Sequence, residues 1–201
     1  VGEINEQQTS YVSKIISGVE DMSRLVNNLL DLGRVEAGIG LRIEKTSVSN
    51  TISEVIESLQ LQLDHKKIQL QCIGLAQDEA LMIEADPALL RQAIYNLVEN
   101  AVKYSQLGGG IRLAVRHNAD TVLFTVQDNG IGIAPLDLPH MFEKFYRSGR
   151  REAYRQRGAG LGLAIVKSIA ERHNGKVWVD SQLGKGSKFH FQIPRVNPES
   201  N

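Results

Sequence analysis

The sequence predicts an α/β two-layer sandwich preceded by one long helix that belongs to a helical bundle. Three observations carry this reading. Helical and alternating apolar patterns interleave along residues 41–195, several strands join through short turns as antiparallel pairs, and the stretch from Glu6 to Val35 holds a heptad seam free of proline. The chain has 201 residues, with 23 Lys+Arg against 23 Asp+Glu. That balance lacks the surplus cations with which nucleic-acid and anionic-membrane binders neutralise phosphate, so both classes are set aside. The single cysteine, Cys72, leaves no internal disulfide and no Cys-based zinc site, and fits a reducing compartment. It alternates with Gln69 and Gln71 alongside Ile68 and Leu70, which predicts a half-buried strand cysteine rather than a reactive thiol. No apolar run reaches the roughly 18 residues of a membrane span, and VGEINEQQ lacks the layout of a signal peptide. The chain reads as cytoplasmic.

The first element follows from Val12, Ile15, Val19, Met22, Val26 and Leu29, spaced three, four, three, four, three. Such a seam packs lengthwise against other helices. Tyr11, Ile16, Leu25, Leu30 and Leu32 widen it towards a four-helix bundle, so a second chain or another helix is expected to cover it. Left bare, the seam is expected to drive self-association or to leave the segment poorly ordered. Gly38 and Gly40 end the helix. A strand is predicted near Leu41 to Val48, a helix from about Asn50 to Asp64 capped by Ser47 or Ser49, and a strand around Leu70. Asp86-Pro87 opens a helix to about Tyr104, with Asp as N-cap and Pro in the first turn. Gly108-Gly109-Gly110 leads into a hairpin, Ile111 to Arg116 and Val122 to Gln127, turning at Asn118-Ala119-Asp120. A helix from Gly162 to about His173 and strands around Val177 to Val179 and Phe189 to Ile193 complete the pattern.

The helix ending at Tyr104 is the most informative. Leu90, Ala93, Ile94, Leu97 and Ala101 define its core face, whereas Asn96, Asn100 and Lys103 share another at i, i+4, i+7. Asparagine is a poor helix former, and an amide oxygen is a hard ligand suited to magnesium, with Lys103 placed to meet phosphate. From this helix alone a solvent-facing polar strip explains the residues equally well. In Asp128-Asn129-Gly130-Ile131-Gly132-Ile133 a carboxylate ends a strand beside a bare backbone, where a flat ligand can approach and donate to the acid. In Gly158-Ala159-Gly160-Leu161-Gly162-Leu163 glycines open directly into a helix whose free N–H groups suit phosphate. The GxGxG spacing is not the dinucleotide fingerprint, and no GxxxxGK[ST] loop occurs. Taken singly, each cluster is weak evidence and reads more readily as a plain turn or cap. Between them, Glu143 to Arg157 holds six basic residues (Lys144, Arg147, Arg150, Arg151, Arg155, Arg157) and two acids (Glu143, Glu152), a local +4. That segment is expected to be a lid over an anionic ligand, with Phe142 and Phe145 pinning its base to the core.

Taken together, LRQAIYNLVENAVKYS, DNGIGI, FEKFYR, GAGLGLAIV and GKGSKFHFQIP resemble the catalytic, ATP-binding domain of sensor histidine kinases, within the gyrase-like (GHKL) ATPase superfamily. They occur in family order from about Asp86 to Pro194. The resemblance implies the Bergerat-type fold, a mostly antiparallel sheet packed on helices, with ATP and magnesium bound. It assigns Asn100 as the magnesium ligand, with Asn96 and Lys103 near the phosphates and Tyr104 near the nucleotide. It assigns Asp128 to the exocyclic amine of adenine, with Gly130 and Gly132 shaping the base pocket. Arg147 and the run Gly158, Gly160, Leu161, Gly162 would lie at the phosphates. Gyrase-like hydrolases carry a water-activating glutamate where this chain has Asn96, and Glu99 belongs to another part of the helix turn, so water attack should be slow and the phosphoryl group kept for another acceptor. Ala159 stands where the family often has Thr or Ser.

DLGRVEAG, Asp31 to Gly38, resembles the end of the second helix of the family's dimerisation and phosphoacceptor hairpin. Family members carry the acceptor histidine, followed by an acid, on the first helix. His65, His117, His140, His173 and His190 are followed by Lys66, Asn118, Met141, Asn174 and Phe191, so none matches and that helix is expected to be missing from this chain. The expected division is residues 1–40 as a partial dimerisation domain, 41–195 as the ATP-binding domain and 196–201 as a tail. The implied function is phosphoryl transfer from ATP to a histidine, then to a response-regulator receiver domain, in a homodimer joined through the N-terminal helix. Two alternatives stand beside it: a serine-type protein kinase or ATPase of the superfamily, and an inactive nucleotide-binding or dimerisation module.

Overall fold

The computed structural model describes residues 5–37, 40–75, 81–149 and 159–196. Helix α1 (Glu6–Ala37) leads into strand β1 (Glu44–Ser47), helix α2 (Val48–His65) and strand β2 (Gln69–Ile73). Strand β3 (Met82–Ala85), helix α3 (Pro87–Tyr104) and the hairpin β4 (Gly110–His117) and β5 (Thr121–Asp128) follow. A 3-10 turn at Leu138–His140, helix α4 (Gly162–Arg172) and strands β6 (Lys176–Gln182) and β7 (Gly186–Pro194) are the remaining elements among the described residues. Five strands form one sheet in the order β2-β4-β5-β7-β6, antiparallel except for β2 against β4. The fold is the predicted two-layer α/β sandwich. Val122, Phe124 and Val126 of β5 lie beside Ile193, Phe191 and Phe189 of β7 on the inner face. Helices α2, α3 and α4 cover that face with Val55, Leu59, Leu90, Ile94, Ile165 and Ile169, all buried.

The caps explain where helices begin. Ser47 Oγ accepts the Asn50 N–H at 3.3 Å, so Ser47 caps α2. Asp86 caps α3: its Oδ1 accepts the N–H groups of Ala88 and Leu89 at 3.0 and 3.1 Å, and its Oδ2 accepts that of Arg42 at 2.9 Å. His173, at the end of α4, locks this corner. Its Nε2 accepts the Asp86 N–H at 3.1 Å, so the Nδ1–H donates to the Ile169 carbonyl at 2.8 Å. Burial pushes the His173 pKa down, in keeping with a neutral ring that needs one bare nitrogen.

Three expectations need correction. The strand expected from Leu41 to Val48 is shorter, and it pairs with β3 in a separate two-stranded ribbon. Strand β3 went unpredicted because four residues running straight into a helix cap carry too little alternation to be read. Cys72 is exposed rather than half-buried. Along this edge strand burial fades from Ile68 through half-buried Leu70 to exposed Cys72 and Ile73, because β2 pairs with β4 alone. Phe145 does not pin the lid base. It is 58% exposed with φ 63°, whereas Phe142 meets Phe189 edge-on at 6.3 Å.

Among the described side chains, helix α1 is buried at its C-terminal end, and Leu25 packs half-buried against the core. Leu32 and Val35 are buried, Gln92 Nε2 donates to Asp31 Oδ2 at 2.7 Å, and Arg172 Nε donates to the Val35 carbonyl at 2.7 Å. The rest of its seam, from Val12 to Leu29, stays exposed. No helix among the described residues is long and apolar enough to cross a membrane.

Candidate nucleotide site

One cavity of about 1460 Å³ opens between α3, the loop after β5 and the start of α4. Helix periodicity places Asn96, Asn100 and Lys103 along its wall, with Tyr104 at the helix end. Asn96 is 8% exposed and its Nδ2 has no partner among the described residues; its side chain faces α4, where a Cβ added at Gly162 would lie 3.7 Å from Asn96 Oδ1. A buried amide donor left bare is costly unless a ligand completes it. Lys103 holds its ammonium 5.0 Å from the centre of the Tyr104 ring. Burial raises the Tyr104 pKa and the nearby Arg147 charge partly offsets it, which places that cation against the same wall.

At the opposite end Asp128 closes β5. It is 5% exposed, and burial raises its pKa against the backbone N–H groups of Gly130 and Ser187, which favour the carboxylate. The Gly130 N–H reaches Asp128 Oδ1 at 2.8 Å. The glycines here are sterically required. A Cβ at Gly130 would sit 2.3 Å from the Tyr104 carbonyl oxygen, and one at Gly132, where φ is 65°, would sit 2.1 Å from that of Gln182. The loop therefore presses directly on the end of α3 and on β6, joining the two halves of the cavity.

Gly160, Leu161 and Gly162 line the third side, and α4 starts there without a side-chain cap, leaving its first N–H groups facing the cavity. Arg147 stands between two anchored neighbours: Tyr146 and Ser148 donate their hydroxyls to Asp137 at 2.7 and 2.6 Å. The structure thus gathers every predicted site residue that it describes around one space. Gly158 and the lid residues Arg150, Arg151, Glu152, Arg155 and Arg157 lie outside the described residues.

Several lining residues were not anticipated. Glu99 borders the cavity and accepts the Tyr95 hydroxyl at 3.3 Å, although its place in the helix turn had set it apart from Asn100. Lys66 donates its ammonium to the carbonyls of Val102, Lys103 and Ser105 at 2.8, 2.8 and 3.2 Å, closing the C-terminal end of α3. Met22, Leu25 and Asn28 of α1 also border the cavity. None of these carries a motif, since each acts through contacts that only folding creates. Among the described residues no three His, Cys, Asp or Glu side chains gather as a metal cage. Helix α3 lines the cavity with the amide oxygens of Asn96 and Asn100 and the carboxylate of Glu99, hard oxygen ligands that fit a cation completing its shell with phosphate and water.

Fold and cavity together define an α/β nucleotide-binding domain. The model of the histidine kinase-, DNA gyrase B- and HSP90-like ATPases matches residues 85–197, more than half of the chain. The chain belongs to that family, and carries the ATP-binding catalytic domain of its histidine-kinase members. It is 34% identical over 194 residues to the circadian input-output histidine kinase CikA of Synechococcus elongatus, covering 96% of this chain and 26% of that protein. It is 32% identical to the sensor-like histidine kinase SenX3 of Mycolicibacterium smegmatis, covering 95% of this chain and 50% of that one. Full-length ShkA, crystallised in complex with AMPPNP, superposes with a TM-score of 0.77 at 30% identity over 96% of this chain and 40% of that one. The nucleotide-free catalytic domain of histidine kinase ThkA gives 0.67 at 25% identity, over 78% of this chain and 97% of that domain. The chain therefore spans half or less of the two relatives' length.

Proposed function

We propose that this chain is the catalytic core of a sensor histidine kinase, in which residues 41–195 bind ATP with magnesium and deliver the γ-phosphoryl group to a histidine of a neighbouring helix. One observation carries the reading: Asn96, Asn100, Lys103, Arg147 and the start of α4 surround one end of a cavity whose other end holds the buried Asp128. In this reading the Asp128 carboxylate accepts the adenine amine, and the loop of Gly130 and Gly132 admits the flat base. Lys103, Arg147 and the N–H groups of α4 hold the phosphates, and the orphaned Asn96 Nδ2 donates to a phosphate oxygen. Asn100 would hold magnesium through its side-chain oxygen. When bound, the ion neutralises charge on the transferring phosphoryl group.

Asn96 has no basic atom with which to activate water, which favours transfer over hydrolysis. Helix α1 supports transfer to a helical acceptor, since Met22, Leu25 and Asn28 stand at the cavity wall. Residues 1–40 are then half of a hairpin, and the bare seam of α1 is where a second hairpin helix and a second subunit pack. No histidine of this chain lies on α1, so we place the acceptor on another segment, with an aspartate of a receiver domain as the next acceptor. The test is γ-labelled ATP given to the 201-residue chain, alone and with a separate polypeptide carrying a helical His-Glu or His-Asp pair. The expected result is acid-labile label on the added polypeptide and none on the chain. Acid-stable label, or stable histidine label on the chain alone, would contradict the reading.

A further inference from the structure

The hydrogen-bond pattern of two serines beside Asp128 fixes which way their protons point. Ser181, on β6, donates its hydroxyl to the Gly186 carbonyl at 2.8 Å, because a carbonyl can only accept. The same Oγ accepts the Ile133 N–H at 2.9 Å. It also lies 3.0 Å from Ser187 Oγ. With its only proton committed to Gly186, Ser181 must accept in that contact, so Ser187 donates. Ser181 is then saturated, with one proton given and two lone pairs filled.

Ser187 is 8% exposed, borders the cavity and immediately precedes Lys188, whose antiparallel pairing with Gln127 sets Ser187 next to Asp128; its N–H supports the Asp128 carboxylate. Its hydroxyl proton points away towards Ser181, so only lone pairs are left for the cavity. Two adjacent buried groups, the Asp128 carboxylate and Ser187 Oγ, thus present acceptors alone. Such a wall suits the exocyclic amine of adenine and repels the O6 carbonyl of guanine, which would face acceptors with no proton between them.

We propose that Ser181 is a positioning residue for base specificity, holding the Ser187 proton away from the base so that the site favours adenine over guanine nucleotides. The inference rests on the nucleotide reading above. A Ser187 free to rotate would donate to O6 and relax the discrimination, since matching a buried polar group is what separates close analogues.

The test is calorimetric binding of ADP and GDP to the 201-residue chain with magnesium. The wild type is expected to prefer ADP, and Ser181→Ala to reduce the ADP:GDP affinity ratio by about tenfold or more, chiefly through tighter GDP binding. Ser181→Thr keeps the hydroxyl and should restore the ratio. Because Ser181→Ala also strips the Ile133 N–H of its partner, Ser187→Ala, which leaves both backbone bonds of Ser181 intact, is the second variant and should also lower the ratio. Equal loss for both nucleotides in Ser181→Ala, or an unchanged ratio in Ser187→Ala, would overturn the proposal and leave ADP binding standing. A wild type that binds neither nucleotide would overturn the nucleotide reading, and this proposal with it.

Discussion

Helices α1 and α3 are both long and amphipathic, yet the chain treats them in opposite ways. In α3 the apolar face is fully used: eight of its 18 residues are buried, Asn96 among them, and both ends are tied down by Asp86 and Lys66. In α1, 32 residues long, only Leu32 and Val35 are buried among the side chains described, and the seam from Val12 to Leu29 meets solvent. Amphipathicity alone therefore does not say where a helix finds its partner. The core of the sandwich completes α3, whereas α1 offers a face that only another helix can complete.

Substitutions separate the two helices most sharply in stability. Leu90→Ala, at a position with no exposure, should cost about 2–5 kcal/mol in urea unfolding of the chain. Ile15→Ala, at 65% exposure on α1, should change unfolding by less than about 0.5 kcal/mol and act instead on self-association in sedimentation. Equal costs would mean that α1 is buried within the monomer. The site at the end of α3 comes next. Asp128→Asn keeps the shape but turns part of the acceptor wall into a donor, and should weaken ADP at least tenfold, about 1.4 kcal/mol, with little loss of melting temperature.

The pH dependence tests the other end of α3. The folded-state pKa of His173 lies below its unfolded value, so the neutral ring's contribution is fully present above pH 6.5 and declines as the pH falls through that value and below it. His190, also pushed down by burial, adds in the same direction. Melting temperature should therefore fall between pH 7.5 and 5, and His173→Gln, a neutral donor and acceptor throughout, should flatten that slope by its share. An unchanged slope would remove His173 from the account. A modest, local effect joins the two helices. Gln92→Ala removes the bond to Asp31 and should cost about 0.5–1.5 kcal/mol, read as faster amide exchange at the C-terminal end of α1.

Much of this was legible in the sequence for one reason: the features that locate the site are local. Asp86-Pro87 announces a helix start, Gly130 and Gly132 announce a backbone that neighbours press upon, and the spacing of Asn96, Asn100 and Lys103 puts them on one wall. What stayed hidden depends on contacts distant in the chain. Lys66 closes a helix that ends nearly forty residues later, His173 caps a corner 87 residues away, and the two-stranded ribbon of β1 with β3 joins strands too short to show alternation. The exposure of Cys72 was unreadable for the same reason, because alternation reports which side a residue faces and not whether anything covers that side.

The central claim is that α3, the loop after Asp128 and the start of α4 form a working ATP site. Its most direct test is the melting temperature of the 201-residue chain with and without millimolar ATP and magnesium. A rise is predicted that goes on growing with the logarithm of nucleotide concentration once that exceeds Kd, and that is largely lost in Asp128→Asn. No rise in the wild type, or the same rise in the variant, would contradict the account.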